Sequence, residues 1–269
     1  MVQSTHTLVF TGDEVAKRYR SWDRGEPERE WNALVLLHRF ARGLAPAPLE
    51  RRADDGTPVV VMARVPGEPL GASPLTPAQV AGLGAAIRRL HTAVPSEDLA
   101  DVPTRRSGAS ELGAQARSWI QTPHERVSPS VESALGKATS WLHGSELTSL
   151  MAPPPDRVFT QGDGNIGNYL WDGDCCRVVD FEDSGGSEPA YDVADLIEHV
   201  TVWMPSLVTA DDLVEHLRLR PDQVRRLQGF RRLMATYWLP MLLPGNPGHG
   251  RNPAGSVERQ AQRLHDFLA

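Results

Sequence analysis

Residues 157–182 read RVFTQGDGNIGNYLWDGDCCRVVDFE. Two short apolar runs, 157–160 and 177–181, flank a glycine-broken loop, the apolar triplet Tyr169-Leu170-Trp171 and a tight Asp172-Gly173-Asp174 turn. The loop carries Asp163, Asn165 and Asn168, and the last run ends in Asp180, Phe181 and Glu182. Short strands and turns hold side chains in place. This many oxygen ligands on them suits a hard divalent cation and a phosphate.

Other readings of the same stretch fail on context. GDGNIG at 162–167 matches G-x-G-x-x-G. A dinucleotide-binding turn, however, must open a helix within a βαβ unit, and this one leads into another strand. The acidic spacing does not fit a calcium loop, whose twelfth position is glutamate. The chain has no G-x-x-x-x-G-K-S/T phosphate loop, no H-E-x-x-H and no serine at a nucleophile elbow. What remains is Asp163, Asn168 five residues on, and Asp180 at a strand end. Singly, each is an ordinary turn former or strand terminator. Phosphoryl transfer needs them together: a carboxylate beside the acceptor hydroxyl, oxygens for magnesium, and a lysine fixed by a glutamate on the inner phosphates.

Upstream residues supply that last pair. Of 28 basic residues only two are lysine, Lys17 and Lys137. A need for a compact charge explains a lysine retained where arginine is otherwise used; chance is the plainer alternative. Residues 7–19, TLVFTGDEVAKRY, read as a hairpin with Lys17 in its second strand. Pro27 sits in the first turn of a helix running to about Arg42, on which Glu30, Leu34, Leu37 and Ala41 share one face. A bare carboxylate on an apolar face is costly unless paired. Lys17 is its natural partner; a cap on the first helical turn is the alternative.

Val59 to Met62 form a buried strand after the Asp54-Asp55-Gly56 turn, and Ala63-Arg64-Val65-Pro66-Gly67 follows as a hinge. Helices are predicted at 76–92, ending at a packed or capping His91, and at 109–121, 129–147, 190–204, 211–219, 221–242 and 254–268. Proline-rich pieces at 123–129 and 153–155 separate some of them. The fold class is therefore α+β: a small β-rich unit at 1–66 and a larger, mainly helical unit at 67–269. At 269 residues there is ample length for both. The formal net charge of −6 argues against a nucleic-acid partner. No apolar run is long enough to span a bilayer, which argues against a membrane partner. No basic-then-apolar leader opens the chain, and Cys175 and Cys176 are adjacent, which disfavours a bridge. A cytoplasmic location is expected.

The motifs Q-G-D-x-x-x-x-N at 161–168, D-F-E at 180–182 and YDVADL at 191–196 resemble the aminoglycoside phosphotransferase and choline kinase family, with its protein-kinase-like two-lobe fold. The resemblance implies Asp163 as catalytic base, Asn168 and Asp180 as Mg2+ ligands, and Lys17 with Glu30 as the nucleotide lysine and its partner. It implies that the backbone of Met62, Ala63, Arg64 and Val65 meets the adenine of ATP (or the guanine of GTP). Asp192 would steady the catalytic loop. The chain departs from the family in two ways. Gln161 stands where the family usually has histidine, and it can still donate and accept hydrogen bonds. The stretch before Val15 is too short for a full strand, glycine-rich loop and strand, so a shortened lobe with reduced phosphate cover is expected.

Between Asp183 and Leu217 lie eight acidic residues and no lysine or arginine. A cleft lined by Asp183, Glu188, Asp195 and Glu198 would attract a cationic acceptor; a solvated acidic helix face is the plainer alternative. The function expected is transfer of the terminal phosphate of ATP to a hydroxyl of a small cationic molecule. An aminoglycoside or related antibiotic is the favoured acceptor, as in a resistance-type phosphotransferase. A kinase of a choline-like or sugar-like metabolite, or a non-catalytic binding protein of the same fold, are the competing readings.

Overall fold

Two hairpins build the first sheet. β1 (His6–Thr11) and β2 (Glu14–Tyr19) turn over Gly12-Asp13, with Thr11 opposite Glu14. β3 (Pro48–Asp54) and β4 (Thr57–Ala63) turn over Asp55-Gly56, where both residues have positive φ, 50° and 79°. That is the primed-turn geometry that matches strand twist. The sheet is antiparallel in the order β1-β2-β4-β3. Helix α1 (Glu26–Phe40) has Pro27 in its first turn and lies against β3 and β4, burying Glu30, Leu34 and Leu37 on the face its spacing predicts. The computed structural model describes residues 6–122, 127–152 and 156–269. Most of the separator at 123–129 and all of the one at 153–155 lie outside them.

The chain leaves the sheet through residues 64–67 and joins a second, smaller one. β5 (Glu68–Pro69) pairs with β7 (Tyr169–Trp171), which pairs with β8 (Cys176–Val178). Gly67 has φ +116°, and a Cβ there would stand 2.9 Å from the backbone carbon of Trp171. A larger residue would push the connection off the strand. β6 (Val158–Thr160) pairs with β9 (Gly185–Ser187), clamping the two ends of the central stretch together.

Helices make up the rest. α2 (Pro77–Ala93) opens with a Thr76/Gln79 capping box and buries Leu83, Ile87 and Leu90. After α3 (Ser96–Ala100) come α4 (Ala109–Gln121), α5 (Pro129–Leu142) and α6 (Ser145–Leu150). The single helix expected over 129–147 is thus two, broken at His143-Gly144. The helix expected over 190–204 is also two, α7 (Pro189–Glu198) and α8 (Val200–Trp203). His199 between them is extended, and its ring accepts the Thr201 amide as an N-cap. α9 (Ala210–Leu217), α10 (Pro221–Met241) and α11 (Ser256–Phe267) complete the chain. α10 packs on α4, α7 and α11 and is the spine of this part. Among the described residues, no helix is long and apolar enough to cross a membrane.

Candidate active site

Two glycines let the loop 161–168 lie flat on its neighbours. Gly162 has φ +96°, and a Cβ there would stand 2.2 Å from the Asp183 carbonyl oxygen. At Gly164 a Cβ would come within 2.2 Å of the Asp195 carbonyl oxygen. With the backbone pinned, the side chains fix one another. Asp163 Oδ1 accepts the Asn165 amide at 3.1 Å, and Asn165 Oδ1 accepts the Gly167 amide at 3.1 Å. Asn168 Nδ2 donates to Asp163 Oδ2 at 3.0 Å. Asn168 engages its nitrogen this way, so its oxygen is the atom left for a hard cation. Burial pushes the Asp163 carboxyl above its ordinary range, although the hydrogen bonds from Asn165 and Asn168 oppose it.

Gln161 ties this loop to the end of β8. Its Oε1 accepts the Asp163 amide at 2.7 Å, and its Nε2 donates to the carbonyls of Val179, at 3.2 Å, and Asp180. Asp180 itself has φ +65°, an uncommon value for a non-glycine residue. Phe181 behind it is fully buried and stacks on Phe159 at 6.3 Å between centroids. The kink therefore sits on a packed anchor.

Lys17 reaches the same place from β2. Its Nζ lies 2.8 Å from Glu30 Oε2 and 2.9 Å from Glu182 Oε2, and it contacts Asp180 Oδ1. Tyr19 donates its hydroxyl to Glu30 Oε2 at 3.2 Å. Burial disfavours the ammonium, but Glu30 and Asp180 outweigh that and hold its pKa well above the usual lysine range. A cavity of about 490 Å³ opens beside this cluster, lined by Lys17, the segment Met62–Val65, Asn168 and Asp180. Asp163 does not line it and is joined to it through Asn168. The structure thus brings Lys17, Glu30, the 62–65 segment, Asp163, Asn168 and Asp180 together. Two amides of that segment already have partners: Ala63 donates to Ala47 and Arg64 to Asp13. The β1–β2 connection is only Gly12-Asp13, so no long loop covers the cavity from that hairpin.

The acidic segment needs correction. Glu188 is not a free carboxylate: Arg226 grips it with Nε at 2.5 Å and Nη2 at 2.7 Å. Glu198 is buried between Arg231 and Arg263, each 2.7 Å away. Both carboxylates are neutralised by arginines from α10 and α11, which a count within 183–217 omits. Asp195 meets Arg105 Nη2 at 2.5 Å, and Asp183 lies 3.3 Å from Arg106. Asp183 is the most open of the four, with 32% of its side chain exposed. Burial, with Glu182 and Asp163 nearby, pushes it up to about 6 against the pull of Arg106.

Arg105 is the residue that sequence reasoning missed. It is buried, donates to the Gly162 carbonyl at 2.6 Å, and lies over the Tyr191 ring. Asp192 sits 3.6 Å from it and 2.8 Å from His91 Nε2, so Asp192 reaches the loop through Arg105. Nothing around Pro103-Thr104-Arg105 in the sequence signals this role.

The model of the phosphotransferase enzyme family matches residues 7–234. No curated protein matches the sequence. Among solved structures, the chain is similar to a choline/ethanolamine kinase family protein from Mesorhizobium loti, with 18% identity and TM-score 0.65 over 100% of this chain and 86% of that one. It is similar to spectinomycin phosphotransferase in complex with ADP and spectinomycin, with 13% identity and TM-score 0.61 over 98% and 86%. It also resembles an aminoglycoside phosphotransferase from Streptomyces rimosus in complex with ADP and streptomycin, with 18% identity and TM-score 0.55 over 84% and 87%. These likenesses show a kinase-like fold. The match over residues 7–234 shows that the chain belongs to the phosphotransferase enzyme family.

Proposed function

We propose that the chain transfers the terminal phosphate of ATP to a hydroxyl of a small cationic acceptor of the aminoglycoside class, in the cytoplasm, as a resistance-type phosphotransferase. The observation that supports this most is the convergence of Lys17, Asn168 and Asp180 on the 490 Å³ cavity, with Asp163 bonded to Asn168. In this reading residues 1–66 form the nucleotide lobe and 67–269 the acceptor lobe, with the hinge at about 62–67.

The residues fit a magnesium ion: the Asn168 oxygen and the Asp180 carboxylate are hard donors. Bound there, Mg2+ would neutralise charge on the phosphates. Asp163 accepts the proton of the acceptor hydroxyl and aims it, helped by a carboxyl that burial makes more basic. Lys17, fixed by Glu30, meets the inner phosphates. The backbone of Met62–Val65 borders the base. Asp183 is the carboxylate best exposed to an acceptor cation. Two similar structures hold spectinomycin or streptomycin beside ADP, which favours an antibiotic of that class.

The test is phosphate transfer by the purified protein from ATP to a panel of aminoglycosides, spectinomycin, choline and simple sugars, read by mass spectrometry. Gain of one phosphate on an aminoglycoside or on spectinomycin supports the proposal. Phosphorylation of choline alone would move the chain to metabolite kinases. ADP binding with no product on any acceptor would favour a binding protein.

A further inference from the structure

The cleft holds a second donor set that shares only Asp180 with the magnesium reading. His6 opens β1, and its Nδ1 lies 3.3 Å from Glu182 Oε2. One donor atom from each of His6, Asp180 and Glu182 can be chosen so that all lie within 4.8 Å of one another. The three come from two segments that meet across the cleft, so they are not a run of surface acids. Their side chains are 15%, 26% and 13% exposed, sheltered yet reachable. His6 and Asp180 both border the cavity, which supplies the entry path.

The charge arrangement is a second observation. The Lys17 ammonium lies 2.9 Å from Glu182 and touches Asp180, so both carboxylates already turn toward one positive centre. An imidazole beside two carboxylates is not the all-oxygen, water-rich shell that Mg2+ prefers. It is the mixed nitrogen and oxygen set that first-row transition dications accept, with affinity rising from manganese towards copper.

We propose that His6, Asp180 and Glu182 form a binding site for a first-row transition dication in the Co2+ and Zn2+ class. A cation there would replace the ammonium against Asp180 and Glu182 and leave Lys17 to Glu30. It would also tie the first strand of the sheet to the segment after β8, across the mouth of the cavity. Only the use of the site rests on the phosphotransfer reading; its existence does not.

The experiment is titration of the full-length, nucleotide-free protein with Co2+, followed by visible absorption and calorimetry, and in parallel with Mg2+. His6→Ala should weaken Co2+ binding about ten-fold or more and leave Mg2+ binding unchanged. Glu182→Gln should weaken Co2+ binding in the same way. His6 begins an edge strand and belongs to no core cluster, so His6→Ala should keep the wild-type circular dichroism. His6→Asn gives a second variant of the same sign. Equal Co2+ affinity in wild type and both His6 variants would overturn the site, as would a cobalt spectrum unchanged by the substitution. Because no nucleotide is present, that failure is separate from a failure to transfer phosphate in Mg2+.

Discussion

Gln161 and Asp163 are held in a fixed relation: the Gln161 side-chain oxygen accepts the Asp163 backbone amide at 2.7 Å, while its nitrogen donates to the Val179 carbonyl at 3.2 Å. One buried amide thus aligns the proposed base with the strand that delivers Asp180. Gln161→Ala removes these bonds and the one to the Asp180 carbonyl, and leaves buried groups unpaired. We expect kcat to fall by about ten- to a hundred-fold with little change in nucleotide affinity, since small displacements of reacting groups are costly. Gln161→His, which can still donate and accept, should retain most of the rate. A Gln161→Ala enzyme with wild-type kcat would show that the bridge does not position the loop.

Asp163→Asn removes the proton acceptor while preserving shape; its one oxygen can keep the bond from either Asn165 or Asn168, not both. The expected loss in kcat is about 10²- to 10⁴-fold, with ADP binding by calorimetry unchanged. Burial raises the Asp163 carboxyl, and the base works only when ionised. The rate of the wild type should therefore fall as pH drops, at an apparent pKa above the ordinary aspartate range. An acid limb at or below the ordinary range would contradict the burial argument.

Lys17 and its three carboxylates give an asymmetric prediction for stability. Removing Glu30 leaves Lys17 with Asp180 and Glu182. Removing the ammonium leaves three carboxylates facing one another with their cation gone. Lys17→Met should therefore destabilise more than Glu30→Gln, approaching the roughly 3–5 kcal/mol typical of breaking a buried pair. The gap should widen from pH 5 to pH 8, because protonation relieves the bare carboxylates. Urea unfolding of both variants at the two pH values decides it; a more damaging Glu30→Gln would refute the ranking.

The local parts of this molecule were legible because their causes are local. The spacing of Leu83, Ile87 and Leu90, the Gly12-Asp13 and Asp55-Gly56 turns, and the proline at each of several helix starts follow from periodicity and backbone chemistry. Lys17 with Glu30 could be paired from sequence because lysine is so scarce here. The acidic segment was misread for the opposite reason. Glu188 and Glu198 look bare along the chain, and their partners Arg226, Arg231 and Arg263 arrive only through packing of α10 and α11 on α7 and α8. Arg105 was invisible because its function is to touch a carbonyl 57 positions away. The helix breaks at His143 and His199 were missed because amphipathic periodicity runs through both of them.

The break at His199 yields a last prediction. The ring packs edge-on against Trp238 at 5.0 Å, and its Nδ1 accepts the Thr201 amide at the start of α8. Burial lowers its pKa to about 4, with Asp195 opposing the shift. In the unfolded chain an ordinary histidine titrates near 6.5. Between about 4 and 6.5 the unfolded state therefore binds more protons than the folded one. Stability from this group is then fully present above about 6.5 and lost as pH falls towards 4. His199→Asn supplies an N-cap oxygen in place of Nδ1 and does not titrate. The melting temperature of the wild type should fall on acidification from pH 7 to pH 4.5, and the fall should be smaller in His199→Asn. The difference between the two curves isolates the histidine from the carboxylates that titrate in the same range. Parallel curves over that range would show that His199 is protonated in the folded protein.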